Sequence, residues 1–293
     1  MFSLNPIFQT PSCRKAAERI ALGTRIVQRD ANPKRTHAIT FEHLAKLGPI
    51  NAIHLHDLIE CFRAFIDAPP SPSCTVLGLT ESGIVPSFAM QKACEAAGID
   101  SEWRCSSRDD TGGLRFRESH SHAPEHFLPH NFLDQIGEEL WIVEDEVTSG
   151  RTIENLLECV YDSSNIRKCR VFALLDARSE ADRQRFDDLC QIRDWDVTLQ
   201  SILRMAPSSV VLNKRRDPTS SAAPVTQHFV VGESIAAALP SLLYGDLQGL
   251  QHITLSPWAI DGEHVVSRQS WDGCYYIYNA LNDEPKQIWG EHV

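Results

Sequence analysis

No apolar run in this sequence approaches the roughly 18–20 residues that a membrane span needs. Positive charge is scarce: 28 Lys and Arg stand against 39 Asp and Glu, a formal charge of −11. That balance makes the chain a poor nonspecific binder of nucleic acid or of an anionic membrane, while a local anion site stays open. The nine cysteines include no CxxC pair. An odd, dispersed set fits the reduced thiols of a cytoplasmic protein better than a disulfide framework. Met1-Phe2-Ser3-Leu4-Asn5-Pro6 lacks a charged stretch followed by a long apolar one, so no secretory signal is expected. Internal repeats and long low-complexity tracts are missing. So are a GxGxxG after a strand, a GxSxG turn and an HExxH helix. Gly78 to Gly83 has the glycine spacing of a Walker A loop, but Ile84 and Val85 stand where its Lys and Ser/Thr would be. His120, His122, His126 and His130 invite a metal reading. No matching cysteine or carboxylate pattern accompanies them, so no protein-held metal is expected.

What is present suffices for a sizeable core. Of 293 residues, 42% are hydrophobic and 23% charged, which suits a globular chain of one large or two modest domains. Periodicity predicts helices over 13–23, 54–67, 84–97, 152–160 and 179–190. Short apolar runs predict strands at 75–79, 102–105, 140–143, 171–175 and 197–203. The alternation implies an α/β fold with a mostly parallel sheet flanked by helices. Residues 106–130 are polar, rich in Gly, Arg and His, and without clear period, which marks a functional or mobile stretch. A composition shift at 206–226 reads as a linker between a first domain, 1–205, and a small β-rich tail, 227–293.

The chemistry concentrates in Val143-Glu144-Asp145-Glu146-Val147-Thr148-Ser149-Gly150-Arg151-Thr152. An apolar strand ends in adjacent carboxylates, a small hydroxyl-rich loop follows, and a helix begins. In a parallel sheet, ligands gather at the carboxyl ends of strands. Thr148, Ser149 and Thr152 offer hydroxyls, Gly150 admits close backbone approach, and a helix N-terminus supplies amide hydrogens. That is a site for a phosphate monoester. Glu144 and Asp145, just ahead of it, can accept hydrogen bonds from vicinal sugar hydroxyls. Phosphate and diol acceptors one loop apart describe a ribose 5-phosphate. The plainer alternative is a helix start with an acidic cluster stabilised by the helix dipole.

This segment resembles the phosphoribosyl diphosphate (PRPP) motif of type I phosphoribosyltransferases, with Glu146 in place of the usual apolar residue. Gly78 to Gly83 is similar to that family's diphosphate loop. The resemblance implies that Thr80, Glu81, Ser82 and Gly83 present backbone amides to the diphosphate, often with an unusual peptide geometry. Relatives often carry a basic residue in this loop; here the cation must come from elsewhere, and Arg108 is the natural supplier. Arg115 and Arg117 lie where the family has its mobile catalytic hood loop. Ser106-Ser107-Arg108 and Phe116-Arg117-Glu118-Ser119-His120-Ser121-His122-Ala123 resemble signatures of one branch, the phosphoribosyltransferases of bacterial tellurite-resistance-associated, stress-response gene clusters. Gly232-Glu233, Thr254-Leu255-Ser256-Pro257 and Tyr276-Ile277-Tyr278-Asn279 resemble that branch's small C-terminal α+β domain, with Leu255 replacing an Arg.

The resemblance implies transfer between PRPP and a nucleobase-like acceptor, with magnesium bound mainly through PRPP. It implies ribose hydroxyls on Glu144 and Asp145, the 5-phosphate on Thr148, Ser149, Gly150, Arg151 and Thr152, and diphosphate contacts from Arg115, Arg117 and residues 80–83. Arg108, His120 and His122 join Glu144 and Asp145 as catalytic candidates. The two histidines serve either proton transfer or diphosphate binding, or only order the hood. The first 50 residues, with Phe41 and His43, offer either acceptor-pocket residues or a homodimer contact. A PRPP- or nucleotide-binding regulator on the same fold is the alternative to an enzyme.

Overall fold

The computed structural model describes residues 2–28, 37–44, 52–66, 73–108, 110, 112–117, 125–137, 139–164, 166, 168–205, 228–231, 250–256, 268–271 and 275–278. In chain order the elements are β1 (Phe2–Leu4), α1 (Pro11–Leu22), β2 (Thr24–Gln28), β3 (His37–Phe41), α2 (Ala52–Arg63), β4 (Ser73–Gly78) and α3 (Ile84–Ala96). Then come β5 (Asp100–Cys105), β6 (Arg115–Arg117), β7 (Glu125–Phe127), β8 (Glu139–Val147), α4 (Arg151–Ser163), β9 (Lys168–Asp176), α5 (Glu180–Arg193) and β10 (Asp196–Met205). The tail contributes β11 (His228–Val231), β12 (Leu250–Ser256), β13 (Arg268–Trp271) and β14 (Tyr275–Tyr278).

By internal contacts the chain divides into two units. The first is Met1–Gly23 with His56–Val211, and the second is Thr24–Leu55 with Leu212–Val293. The segment 24–55, expected inside the first domain, thus clusters with the tail.

The first unit holds a six-stranded sheet in the order β1-β10-β9-β8-β4-β5. All its neighbours pair in parallel except β1, which runs antiparallel to β10. This is the expected mostly parallel sheet. Leu140, Trp141, Ile142 and Val143 are all buried. A continuous apolar run is what a strand covered on both faces requires, and each such side chain contributes about 1.5–3 kcal/mol on burial. On one face Trp141 packs on Phe172, which in turn stacks on Phe65. On the other, Leu140 and Ile142 join a core with Ile153, Leu156, Leu157 and Val160 of α4. Those four recur at helical spacing, so α4 forms with one apolar stripe facing the sheet. In α5, Ser179 accepts the backbone N–H of Asp182 at 3.1 Å and caps the first turn.

Two expectations change. The apolar strand expected at 140–143 and closed by the acidic doublet runs on through Glu144, Asp145 and Glu146 to Val147. Residues 106–130, expected without regular structure, contain an antiparallel hairpin in which Arg115, Phe116 and Arg117 pair with Phe127, His126 and Glu125. The polar outer faces of these short strands hide the pattern; Phe116 alone faces the core from β6. The expected linker 206–226 lies outside the described residues, as does 118–124 with Glu118, His120 and His122.

In the second unit, β2 and β3 form an antiparallel hairpin. The tail forms a four-stranded sheet in the order β11-β12-β14-β13. Two of the tail segments singled out in the sequence are ladder neighbours: Thr254, Leu255 and Ser256 pair with Tyr278, Ile277 and Tyr276. Gly232, Glu233, Pro257 and Asn279 lie outside the described residues.

Candidate active site

The sheet order places β5 on one side of β4 and β8 on the other. The chain leaves β4 in one direction and later returns on its opposite flank, so the carboxyl ends of β4 and β8 form a topological switch point, where open α/β sheets bind ligands. The registers open a notch there. β8 pairs with β4 only as far as Gly78↔Val143, but with β9 as far as Val147↔Asp176. Residues 144–147 therefore run beyond the end of β4, and the turn after β4 packs on the Val143 carbonyl just before them.

That turn is tightly built. The Gly83 N–H donates to the Leu79 carbonyl at 2.8 Å. A Cβ at Gly83 would lie 2.6 Å from the Val143 carbonyl oxygen and 2.7 Å from backbone atoms of Leu79, so only glycine fits. The peptide between Thr80 and Glu81 is cis, an unusual geometry of the kind the resemblance implies. The Thr80 N–H donates to Ser106 Oγ at 2.9 Å. The amides of Thr80 and Gly83 are thus committed inside the protein, which differs from the expectation that all four face an anion. Glu81 and Ser82 stand between them at the tip.

On β8, pleating sends successive side chains to opposite faces. Glu144 and Glu146 share the face of Ile142 and α4, whereas Asp145 takes the face of Trp141 and Val143. Asp145 is buried and its Oδ1 accepts the Glu146 N–H at 2.9 Å; Glu144 is half-buried. The expected carboxylate pair therefore lies on opposite faces of the strand where it outruns β4.

The loop after β8 turns at Gly150, whose φ of 81° is left-handed, a conformation that favours glycine. Gly150 is also the N-cap of α4 and has no side chain to cap it; the Arg151 N–H reaches Ser149 Oγ at a long 3.5 Å. The first-turn amides, with Thr148, Ser149 and Thr152 beside them, are the donors an anion would use. From behind, Arg185 of α5 donates to the Ser149 carbonyl at 2.6 Å and to both carboxylate oxygens of Glu154, at 2.6 and 2.7 Å. The hydrogen bond to Glu154 raises the guanidinium's affinity for its proton further. Arg151 is exposed at the helix start. Arg185 fixes the candidate phosphate loop, yet nothing near the motif points to it in the sequence.

Arg108 follows β5, and its Nη1 lies 2.6 Å from His126 Nε2 in β7. Ser106, two residues earlier, donates its N–H to the Gly78 carbonyl at 3.0 Å, tying the ends of β4 and β5 together. Arg115 and Arg117 are exposed on the hairpin, and both pair with Glu125. Asn155 of α4 donates to the Arg117 carbonyl at 2.7 Å, so β6 lies along α4. Cys105, at the end of β5, is no nucleophile at neutral pH: burial, against weaker pulls from Ser87 and Gly78, pushes its thiol up to about 12. The described cysteines are all free thiols.

No helix among the described residues is long and apolar enough to cross a membrane. No curated protein matches the chain by sequence. Solved structures similar to it include the adenine phosphoribosyltransferase of Rhodothermus marinus, at 14% identity over 66% of this chain and 99% of that one, with a TM-score of 0.45. The adenine phosphoribosyltransferase of Leishmania donovani is similar at 12% identity over 64% of this chain and 79% of that one, with a TM-score of 0.48. The model of the phosphoribosyl transferase family matches residues 24–206. That span takes in the β4 turn, the hairpin, the acidic end of β8 and the loop before α4, and with more than half its length matched, the chain belongs to the phosphoribosyl transferase family.

Proposed function

We propose that this phosphoribosyltransferase uses PRPP with magnesium to join ribose 5-phosphate to a nucleobase-like acceptor, releasing diphosphate, or cleaves such a bond in reverse. The observation that carries the reading is the notch at the switch point. At that point the glycine-dependent turn, the two carboxylates near the end of β8 and the start of α4 at Gly150 stand at the carboxyl ends of neighbouring strands.

In the forward direction the acceptor nitrogen bonds to the sugar C1 and releases its N–H proton, as the bond from C1 to the diphosphate oxygen breaks and the diphosphate leaves with the electron pair. Positive charge grows on the ring and negative charge on the leaving group. The α4 amides with Thr148, Ser149, Gly150, Arg151 and Thr152 hold the 5-phosphate. Glu144 and Asp145 accept from the ribose hydroxyls, one from each face of β8, and their charge favours the cationic ring. The diphosphate lies at the 80–83 turn, towards Ser82, with Arg108 as its cation. Arg115 and Arg117 serve only after exchanging Glu125 for the substrate. His120 and His122 belong to the same proposal. The two carboxylates also suit magnesium, which takes one or two of them beside phosphate oxygens and water. When bound, the ion supplies neutralisation of the leaving diphosphate.

A second reading, a PRPP- or nucleotide-binding regulator without turnover, is favoured by one observation: the hood arginines are already paired with Glu125. We extend the enzyme reading to a homodimer in the cytoplasm and to a stress-response role associated with tellurite resistance, with 227–293 as a separate domain. The test is calorimetric titration with PRPP and magnesium, then assay of diphosphate release across a panel of nucleobases. Release with at least one base is expected. Binding without release for every base supports the regulator, and absence of binding ends both readings.

A further inference from the structure

His126 is buried in β7, and the sequence alone marks it only as a member of a discarded metal cluster. Its ring stacks on Phe116 at 4.8 Å between centroids and 17° between planes. Both nitrogens are engaged: Nδ1 lies 3.0 Å from Ser106 Oγ, and Nε2 lies 2.6 Å from Arg108 Nη1. On either side of this contact, Ser107 and Phe127 exchange two backbone hydrogen bonds of 2.8 Å, which join the hairpin to the segment carrying Arg108.

Proton accounting fixes the direction of every bond. Arginine only donates, so Nε2 must accept and carries no proton. The imidazole hydrogen is then on Nδ1, which donates to Ser106 Oγ. That oxygen also accepts the Thr80 N–H. With both lone pairs used, it gives its own hydrogen to Thr80 Oγ1 at 3.2 Å, and the threonine hydroxyl donates to the Ser106 carbonyl. One ordered chain of donors therefore runs from Arg108 through His126 and Ser106 to the first residue of the cis peptide. The opposite tautomer would set an N–H of the ring against an N–H of the guanidinium.

We propose that His126 is a positioning residue for diphosphate recognition: in its neutral, Nδ1-protonated form it holds Arg108 and the 80–83 turn at a fixed mutual distance and couples both to the hairpin. A cation and a turn held in place before the ligand arrives need no rearrangement as charge develops on the leaving group. Packing alone would need an aromatic ring here but neither nitrogen.

The inference rests on the PRPP reading, and its test separates the two. PRPP with magnesium and, separately, ribose 5-phosphate, which lacks the diphosphate, are titrated into the wild-type protein and into His126→Phe, His126→Gln and His126→Asn. His126→Phe keeps the stack on Phe116 and is expected to weaken PRPP binding about tenfold, leaving ribose 5-phosphate affinity unchanged. His126→Gln, whose amide oxygen can stand at the Nε2 position, is expected to regain most of that loss; His126→Asn, which cannot reach Arg108, is not. An equal loss for both ligands shows a merely structural role, and unchanged PRPP affinity in His126→Phe overturns the inference while leaving the PRPP reading intact. Failure of the wild-type protein to bind PRPP ends that reading instead. Nitrogen-15 NMR of the wild-type imidazole near neutral pH, which needs no ligand, is expected to show the proton on Nδ1 alone. A proton on Nε2 overturns the ordered chain, even if His126→Phe does not fold.

Discussion

Asp176 closes β9 beside the candidate phosphate loop, and it carries more bonds than its sequence position suggests. Its Oδ1 accepts the Arg178 backbone N–H at 3.1 Å and Arg178 Nε at 3.0 Å; its Oδ2 accepts Arg178 Nη2 and Arg183 Nε, each at 3.1 Å. Burial pushes this carboxyl up, but the hydrogen bonds and charge of Arg178, with help from Arg183, outweigh it and leave the group below its ordinary range. A carboxylate depressed in the folded state contributes stability above the unfolded value of about 3.9, and loses it as pH falls through the lower folded value. The urea midpoint of the wild-type protein should therefore fall below about pH 4. Asp176→Asn should already be destabilised at pH 7, by about 3–5 kcal/mol, because it leaves the buried Arg178 guanidinium without its counter-charge and removes one of the two carboxylates on Arg183. It should also lose its share of the acid dependence. Equal midpoints for the two proteins at pH 7 would contradict this account.

Among the elements, the unit that matters is β8, its loop and α4, braced by α5. Arg185 binds the Ser149 carbonyl and Glu154 at once through its planar fork. Arg185→Lys keeps the positive charge beside Glu154 but cannot serve both partners in that geometry. We expect KM for PRPP to rise about ten- to a hundredfold, the cost of a misplaced binding loop, with the thermal midpoint nearly unchanged. A fall in midpoint with unchanged KM would make Arg185 a structural residue only. This element was legible in the sequence up to a point. The apolar run of β8, the small-residue turn and the amphipathic stripe of α4 are local signals. The extension of β8 past the acidic doublet to Val147 was not, because charged residues in a strand read as its end until the neighbouring strand β9 supplies partners. The roles of Arg185 and His126 were invisible for a related reason. Each acts on a group far along the chain, Arg185 on Ser149 and His126 on Arg108, and only the fold brings them together. The β6–β7 hairpin was missed because three-residue strands with Arg115, Arg117 and Glu125 outward offer too little alternation to detect.

For the whole molecule, the sequence supports a cut at the composition shift near 206, whereas contacts gather 24–55 with 212–293. The two descriptions predict different behaviour on truncation. If 24–55 relies on the tail, a chain ending at Met205 should be cleaved rapidly by protease within 24–55, with a lower urea midpoint than the full chain. Protection of 24–55 equal to that in the full chain would favour the boundary at 206.

The central claim is that the notch where β8 outruns β4 receives a phosphorylated ribose. The most direct measurement is a crystal structure of the full chain with PRPP and magnesium. The account predicts the 5-phosphate on the amides at Gly150–Thr152, the ribose hydroxyls on Glu144 and Asp145, and the diphosphate between Ser82 and Arg108. Density for PRPP anywhere else, with the Gly150 turn closed over by side chains, would contradict it.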